Sequence, residues 1–597
     1  VAKRMKAMVS ADEDLLTEIR ERFDYATKEW QETRDEATKD MQYVAGNPWS
    51  EKDITARDAA GRPHLCLDEL GQYFNQVIND VRSNPRAPQF APTGMGASEK
   101  SAQFYGDKMR EIEYRSQAQI AYTTAFQDCV HRSYGWVRIN AKFEHEQSFN
   151  QDIWIEDVPN PDLVIPDPDA TRPTSSDMRY LFYLQSYSND EFKRAFPDAL
   201  IRDFAPEHVA MASAWLNGER VQIAEYWKIE QTTKTLYLLQ PIATPEQPQP
   251  KPVAFLEDQI AEMPAGATVI TSRKVDIPTV CMYLTNGVEI LKKPGQSEKK
   301  VEWAGSTIPF VSCFGMILYV NEGSGTRRQL LSMTRLARDP FMLYCYYRTC
   351  EAELVGMTPK FPYFAYEGQV SPEEQSAIAK SLHEPVALIK VKHTIDGAPP
   401  GTVLPYPQRQ PYEPPIQALE VGAEAARRAI QAAMGVSFLP TDAQKRNQKS
   451  GVALKQIESS GQKGSFHFVD HYEAMIQEIG VKVEDLMDKI IDNARETGIR
   501  DAKGSAKMVK VNDPSDPESI STEGKYSVTV STGPATESTQ QAASDFVDTL
   551  VANIEVIAGI AGPKVAAAIL GTSIKLKQLG PLGDELAELI TPPEYKD

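Results

Sequence analysis

Apolar residues recur every three or four positions in long stretches near both ends of the chain, and at every second position in short runs between them. From about 10 to 45, Leu15, Ile19, Phe23, Ala26 and Trp30 fall on one helical face, and Gly46 and Pro48 end the pattern. A second helix is expected at about 66–83, ended by "SNPRAP", and a third at about 98–133. From Gly135 the pattern shortens. "GWVRINAKF", "DIWIEDV", "RYLFYLQSY", "VQIAEYWKIE", "TKTLYLL", "VDIPTVCMYLT" and "VEILKKP" are β-branched or aromatic runs between turn residues, and they predict an antiparallel domain over 135–320. "ATPEQPQPKP" within it reads as an exposed loop.

Helical spacing returns from 327 to 355, as one helix or a kinked pair, with Asp339-Pro340 as a cap followed by a first-turn proline. A Pro-rich insertion over 357–414 follows. It contains Ser371-Pro372-Glu373-Glu374, which fits a capping box, and the strand-like "PVALIKVKH". Another helix runs from Ile416 to Met434 and stops at Gly435. A polar loop over 436–450, a long helical region over 451–496, two strand-like runs ("AKMVKVN", "YSVTVSTG") and a helical tail over 538–591 complete the chain. The class is therefore α+β. If the helices on either side of 357–414 run antiparallel, the insertion is a head on a two-helix stalk.

Length and charge narrow the function. A chain of 597 residues exceeds what one core holds, so several domains are expected. A net charge of −19 argues against a protein that coats nucleic acid, which needs a basic face, but not against one that lets it slide past. The six cysteines are scattered, with no Cys-x-x-Cys, which fits a reducing compartment. No signal peptide or membrane-length apolar run is seen.

Candidate chemistry is sparse. Phosphate-loop, nucleophile-elbow and His-Glu-x-x-His motifs are absent, and "GSGTRRQ" at 323–329 is too weak to stand for the first. Asp167 and Asp169 alternate in "PDPDA", but without converging ligands they read as a turn. His467 and His471 share a helix face with no third ligand, and read as surface or interhelical histidines. Tyr344, Tyr346 and Tyr347 surround their helix, which reads as packing between subunits. No cofactor or metal is expected. The remaining oddity is the loop. Between 441 and 450, Lys445, Arg446 and Lys449 face a single carboxylate, Asp442, in an otherwise acidic chain.

A set of stretches in fixed order gives a further reading. "YVAGNPW" (43–49), "NDVRSNPRAPQFAP" (79–92), "EIEYRSQAQIAYTTAFQDCVHRSYGWVRI" (111–139), "VPNPDLVIPDPDA" (158–170), "AEYWKI" (224–229) and "KSGVALKQIESSGQKGSFHFVDH" (449–471) resemble the portal proteins of tailed bacteriophages, most closely those of short-tailed phages similar to P22. The resemblance implies a portal-type fold. Residues 1–134 would form a helical N-terminal part of wing and core, and 135–320 a β-rich wing. Residues 321–356 and 415–435 would be two stem helices, 357–414 a small α/β clip, 436–450 a tunnel loop, 451–536 a core helix with a β segment, and 537–597 crown-like helices. No long C-terminal barrel is expected.

It also implies a structural, non-enzymatic role. A ring of about twelve copies at one capsid vertex would nucleate procapsid assembly. Through it a terminase would pump double-stranded DNA that is later retained and ejected, and a tail adaptor would attach there. Capsid and scaffolding proteins, the terminase large subunit and the adaptor are the implied partners, with no membrane. The implied location is the virion, and the host cytoplasm during assembly. Lys445, Arg446 and Lys449 would then contact DNA phosphates regardless of sequence. The competing readings are a metal-dependent nuclease, which the missing motifs disfavour, and another virion component such as a capsid or tail-adaptor protein.

Overall fold

The computed structural model describes residues 2–199, 216–240, 253–256, 268–357, 363–364, 370–381, 408–409, 415–435 and 466–532, a few single positions aside. The helices are α1 (Ala2–Val44), α2 (Glu51–Ala59), α3 (Gly71–Ser83), α4 (Glu99–Ser116), α5 (Ala118–Arg132), α6 (Asn189–Ala195), α7 (Met333–Met357), α8 (Pro372–Ser381), α9 (Ile416–Met434) and α10 (Phe466–Ile490). Three strands, β1 (Tyr134–Phe143), β2 (Gln151–Asp157) and β3 (Phe310–Phe314), form an antiparallel sheet in the order β3-β1-β2. This sheet packs with α3, α4, α5 and α10 around the largest core.

A second antiparallel sheet of eight strands is built on β4 (Tyr180–Ser188), β5 (Arg220–Gln240) and β6 (Thr268–Thr285). Two runs expected as separate strands, "VQIAEYWKIE" and "TKTLYLL", are one 21-residue strand, β5. It pairs with β6 from Ala224↔Thr285 out to Gln240↔Thr268, with a bulge between Leu238 and Leu239. The base of this ribbon is buried; at its far end β6 is exposed, while β5 is half-buried there and Leu239 is buried. Among the described residues, no strand pairs with the outer edge of β6 between Thr268 and Val280.

One helix ties the bodies together. Ile19, Phe23 and Ala26 of α1 are buried against the eight-stranded sheet, with Phe23 edge-on to Phe182 at 5.3 Å. Four residues on, Trp30 meets Tyr134 and Phe314, each at 6.0 Å, at the smaller sheet. Ala37 and Asp40 continue the face and are shielded from water. The spacing that predicted the helix is thus the spacing of its contacts.

Several expectations are corrected. The helix expected at 66–83 begins only at Gly71, and α2 was not foreseen. The helix expected at 98–133 breaks at Gln117, which is left-handed (φ 52°) and separates α4 from α5. Residues 327–331 are not helical. They belong to a hairpin of β7 (Met316–Glu322) and β8 (Gly325–Leu331), where pairing overrides the helix preference of Arg, Gln and Leu. Asp339-Pro340 does not start a helix, because α7 begins at Met333 and Pro340 lies inside it. The cap is Ser332, whose Oγ accepts from the Arg335 N–H at 2.9 Å. The helix expected over 451–496 ends at Ile490, and Arg495–Arg500 pairs with Ala506–Val511 as strands. Residues 451–465, the loop "ATPEQPQPKP", the strand-like 385–393 and the tail 538–591 lie outside the described residues, Ala567 of the tail aside.

The start of β1 sits very close to α5. A Cβ on Gly135 would lie 2.1 Å from the Ala125 carbonyl oxygen, a backbone atom that cannot swing away. Gly135→Ala should therefore force sheet and helix apart and lower stability by about 3 kcal/mol. Urea denaturation of the purified subunit followed by tryptophan fluorescence measures it, and an unchanged midpoint would show that the packing yields freely.

Candidate functional site: a helix pair carrying an insertion

The sequence pointed to two helices around an insertion, and α7 and α9 do pack against each other. Tyr347 of α7 faces Gly422, where a Cβ would stand 2.9 Å from the ring, while Tyr344 lies near Arg427. As the number falls along α7 it rises along α9, so the pair is antiparallel. The buried face of α9 is Ala423, Ala426, Ile430 and Met434, and Gly435 (φ 63°) closes it in the left-handed conformation expected of a helix-ending glycine. In the insertion, Tyr363-Phe364 pairs with Gln408-Arg409, which brings its two ends together. The predicted capping box at α8 is present: Glu374 N–H donates to Ser371 Oγ at 3.3 Å, and Ser371 N–H donates to the Glu374 carboxylate at 2.7 Å.

The base of α7 is fixed by charges that the sequence reading missed. Asp40 is fully shielded from water. It accepts from Ser332 Oγ at 2.8 Å and pairs with Arg338 at 2.6 Å and Arg335 at 3.4 Å. Glu36, one turn earlier on α1, accepts from Arg338 at 2.6 Å. Burial pushes both carboxyls up. For Glu36, hydrogen bonds from Lys39 and Arg338 and the charges of Arg338 and Arg335 outweigh burial and hold it at about 2. For Asp40 burial wins, and its value stays raised despite the same arginines. The sequence signal was Glu36 and Asp40 at i, i+4 with Arg335 and Arg338 at i, i+3.

Higher on α7 a strap from 57 to 67 lies along the helix. Leu65 N–H donates to Thr349 Oγ1 at 3.1 Å, Arg62 pairs with Glu353, and Arg57 lies over the Trp49 ring at 4.8 Å. Tyr344 and Tyr347 are thus engaged within the chain, while Tyr346 remains exposed. Tyr344 is buried, Tyr346 is 6.5 Å from Trp49, and Tyr347 covers Gly422.

The other candidates divide clearly. Lys445, Arg446 and Lys449 lie outside the described residues. Asp167 and Asp169 are both engaged by Arg179, and Asp167 also accepts the Arg179 backbone N–H at 3.1 Å, as a structural turn would. His471 Nδ1 is 2.9 Å from the carbonyl oxygens of Phe314 and Gly315, so it joins α10 to the small sheet. Among the described residues no group of three or more His, Cys, Asp or Glu is placed to hold a metal ion, and no helix is long and apolar enough to cross a membrane.

The antiparallel pair α7 and α9 is the helix pair expected on either side of 357–414. The sequence model of the phage P22-like portal protein family matches residues 20–596. The chain belongs to this family. As a phage portal protein it has a structural role at the virion's portal vertex, and its family is not one of enzymes.

Removing Arg338 should leave a fully buried Asp40 one cation short. We expect Arg338→Ala to cost about 3 kcal/mol in urea denaturation, as breaking a buried ion pair does. Glu36 has a folded value below its ordinary 4.5, so its contribution is complete above that pH and is lost as pH falls through about 2. Glu36→Gln should therefore flatten the acid limb of the stability curve, and an unaltered limb would count against the lock.

Proposed function

We propose that copies of this portal protein close into a ring of about twelve, whose channel passes double-stranded DNA inward during terminase-driven packaging, holds it, and releases it on ejection. The observation that carries this reading is the family match over nearly the whole chain, supported by the antiparallel pair α7 and α9 with its inserted segment. In this reading α7 and α9 are the stem and 357–414 is the clip that meets the terminase large subunit and later the tail adaptor. Residues 135–320 are the wing, turned toward the capsid and scaffolding proteins, 436–450 is the tunnel loop, and 537–597 form the crown. The ring also nucleates the procapsid. Head-to-tail contacts that close on themselves are the symmetry such a ring requires. An excess of 83 acidic over 64 basic residues, repeated around it, would repel phosphates over about 8–10 Å and keep DNA from sticking. The competing nuclease reading loses its best carboxylates, since Asp167 and Asp169 are held by Arg179.

Native mass measurement and negative-stain images of the purified protein should show closed rings with a central hole. A species that stays monomeric from micromolar concentration upward would defeat the proposal.

The loop has its own test. Exposed substitutions usually change stability by less than about 0.5 kcal/mol, so changing Lys445, Arg446 and Lys449 together to Ala should leave ring assembly and melting intact. Packaged genome length or retention should change, and the change should depend on salt, because phosphate contacts do. Normal packaging and retention at low and high salt would make the loop a surface turn, and failed assembly would make it an interface element.

A further inference from the structure

Between α1, the turn at 168–171 and the β7–β8 hairpin lies a cleft of about 570 Å³, within the range of small-molecule sites. Its back wall contains Arg328. This guanidinium is held between two rings, 5.4 Å from the centroids of both Trp30 and Phe314, and donates to the Ala170 carbonyl at 2.5 Å. No carboxylate lies within ion-pairing distance of it among the described residues. Asp177 and Asp167 act on it only from beyond ion-pairing distance, and ring faces recover only part of what half-burying a cation costs.

Among the described residues, the other charged groups of the cleft are largely engaged elsewhere. Arg327, beside it, is taken by Glu32. Asp169 on the cleft wall is taken by Arg179 and by the Tyr25 hydroxyl. Among the described residues, exposed Lys28 has no ion pair and the buried Trp30 Nε1 has no acceptor. Glu29 is the one wall carboxylate left without a described cation, and it stands next to Lys28 in sequence. The cleft thus gathers a half-buried guanidinium and an exposed ammonium, both donors that an acceptor-only group satisfies.

We propose that this cleft binds a small oxyanion, a phosphate or carboxylate group, with Arg328 as its principal contact and Lys28 at the rim. The bland alternative is that Arg328 only fastens the hairpin to α1 through stacking and the Ala170 carbonyl. That alternative needs no ligand and predicts none.

The full-length protein is titrated separately with inorganic phosphate and with succinate. Sodium chloride at matched ionic strength is the reference, and affinity is read by calorimetry and by the rise in melting temperature. Saturable binding beyond the chloride reference is expected for at least one of the two, and which one binds tells whether phosphate or carboxylate is the natural group. Lys28→Met should weaken it about three- to fivefold, the size of an exposed charge pair. Arg328→Met should remove it. Arg328→Met also loses stacking and is at risk of misfolding, so Lys28→Met, an exposed change, decides in that event. Shifts no larger than with chloride, or affinity unchanged in Lys28→Met or in a folded Arg328→Met, would overturn the proposal.

Discussion

Everything described here hangs on the one-sided burial of α1. Ile19, Phe23, Ala26, Trp30, Ala37 and Asp40 follow one another at helical spacing and are all removed from water. The partners change along that face, from the large sheet to the small sheet to the cap of α7, although the helix does not. A helix of 43 residues is about 65 Å long, and a single helix of this length has little stability alone. It persists because each body buries a different stretch of it, and the bodies keep their places because the helix is continuous.

The apolar part of that face provides cohesion, and its polar end provides position. Leucine or alanine at 40 would bury as well, but would not orient α7. Asp40 does so because its shielded carboxylate has few acceptable neighbours: the Ser332 hydroxyl and the two arginines of the first turns of α7. A second buried pair, Lys108 with Asp152 at 2.9 Å, fixes α4 to the small sheet, with Thr497 completing the lysine's shell. In both places the requirement to satisfy a desolvated charge restricts geometry more than apolar contact does.

What could be read from the sequence follows the range of the forces involved. The face of α1, the end of α9 at Gly435 and the box at Ser371 and Glu374 are set by residues within one or two turns, and spacing and residue type revealed them. Residues 327–331 carry helix-forming side chains, and only pairing with Met316–Glu322 makes them a strand. Gln117 has no sequence mark of a left-handed residue, yet tertiary packing of α4 and α5 puts it there. The lock at the base of α7 joins residues nearly 300 positions apart, so its arginines looked like ordinary surface charge. Of the candidate site, the two helices and the insertion were legible, while what holds them to the rest was not.

The long ribbon bears on the life of the subunit before it meets its neighbours. An open strand edge is a template for any passing chain, and among the described residues β6 leaves one unpaired from Thr268 to Thr279. That edge is poorly suited to templating. Pro278 has no N–H to offer, Arg273 and Lys274 are exposed cations, and the irregularity between Leu238 and Leu239 interrupts the regular ladder. A protein whose work requires self-association through chosen surfaces has to be a poor partner everywhere else. In this chain a proline, two cations and one irregular step are the features that work against templating along that edge.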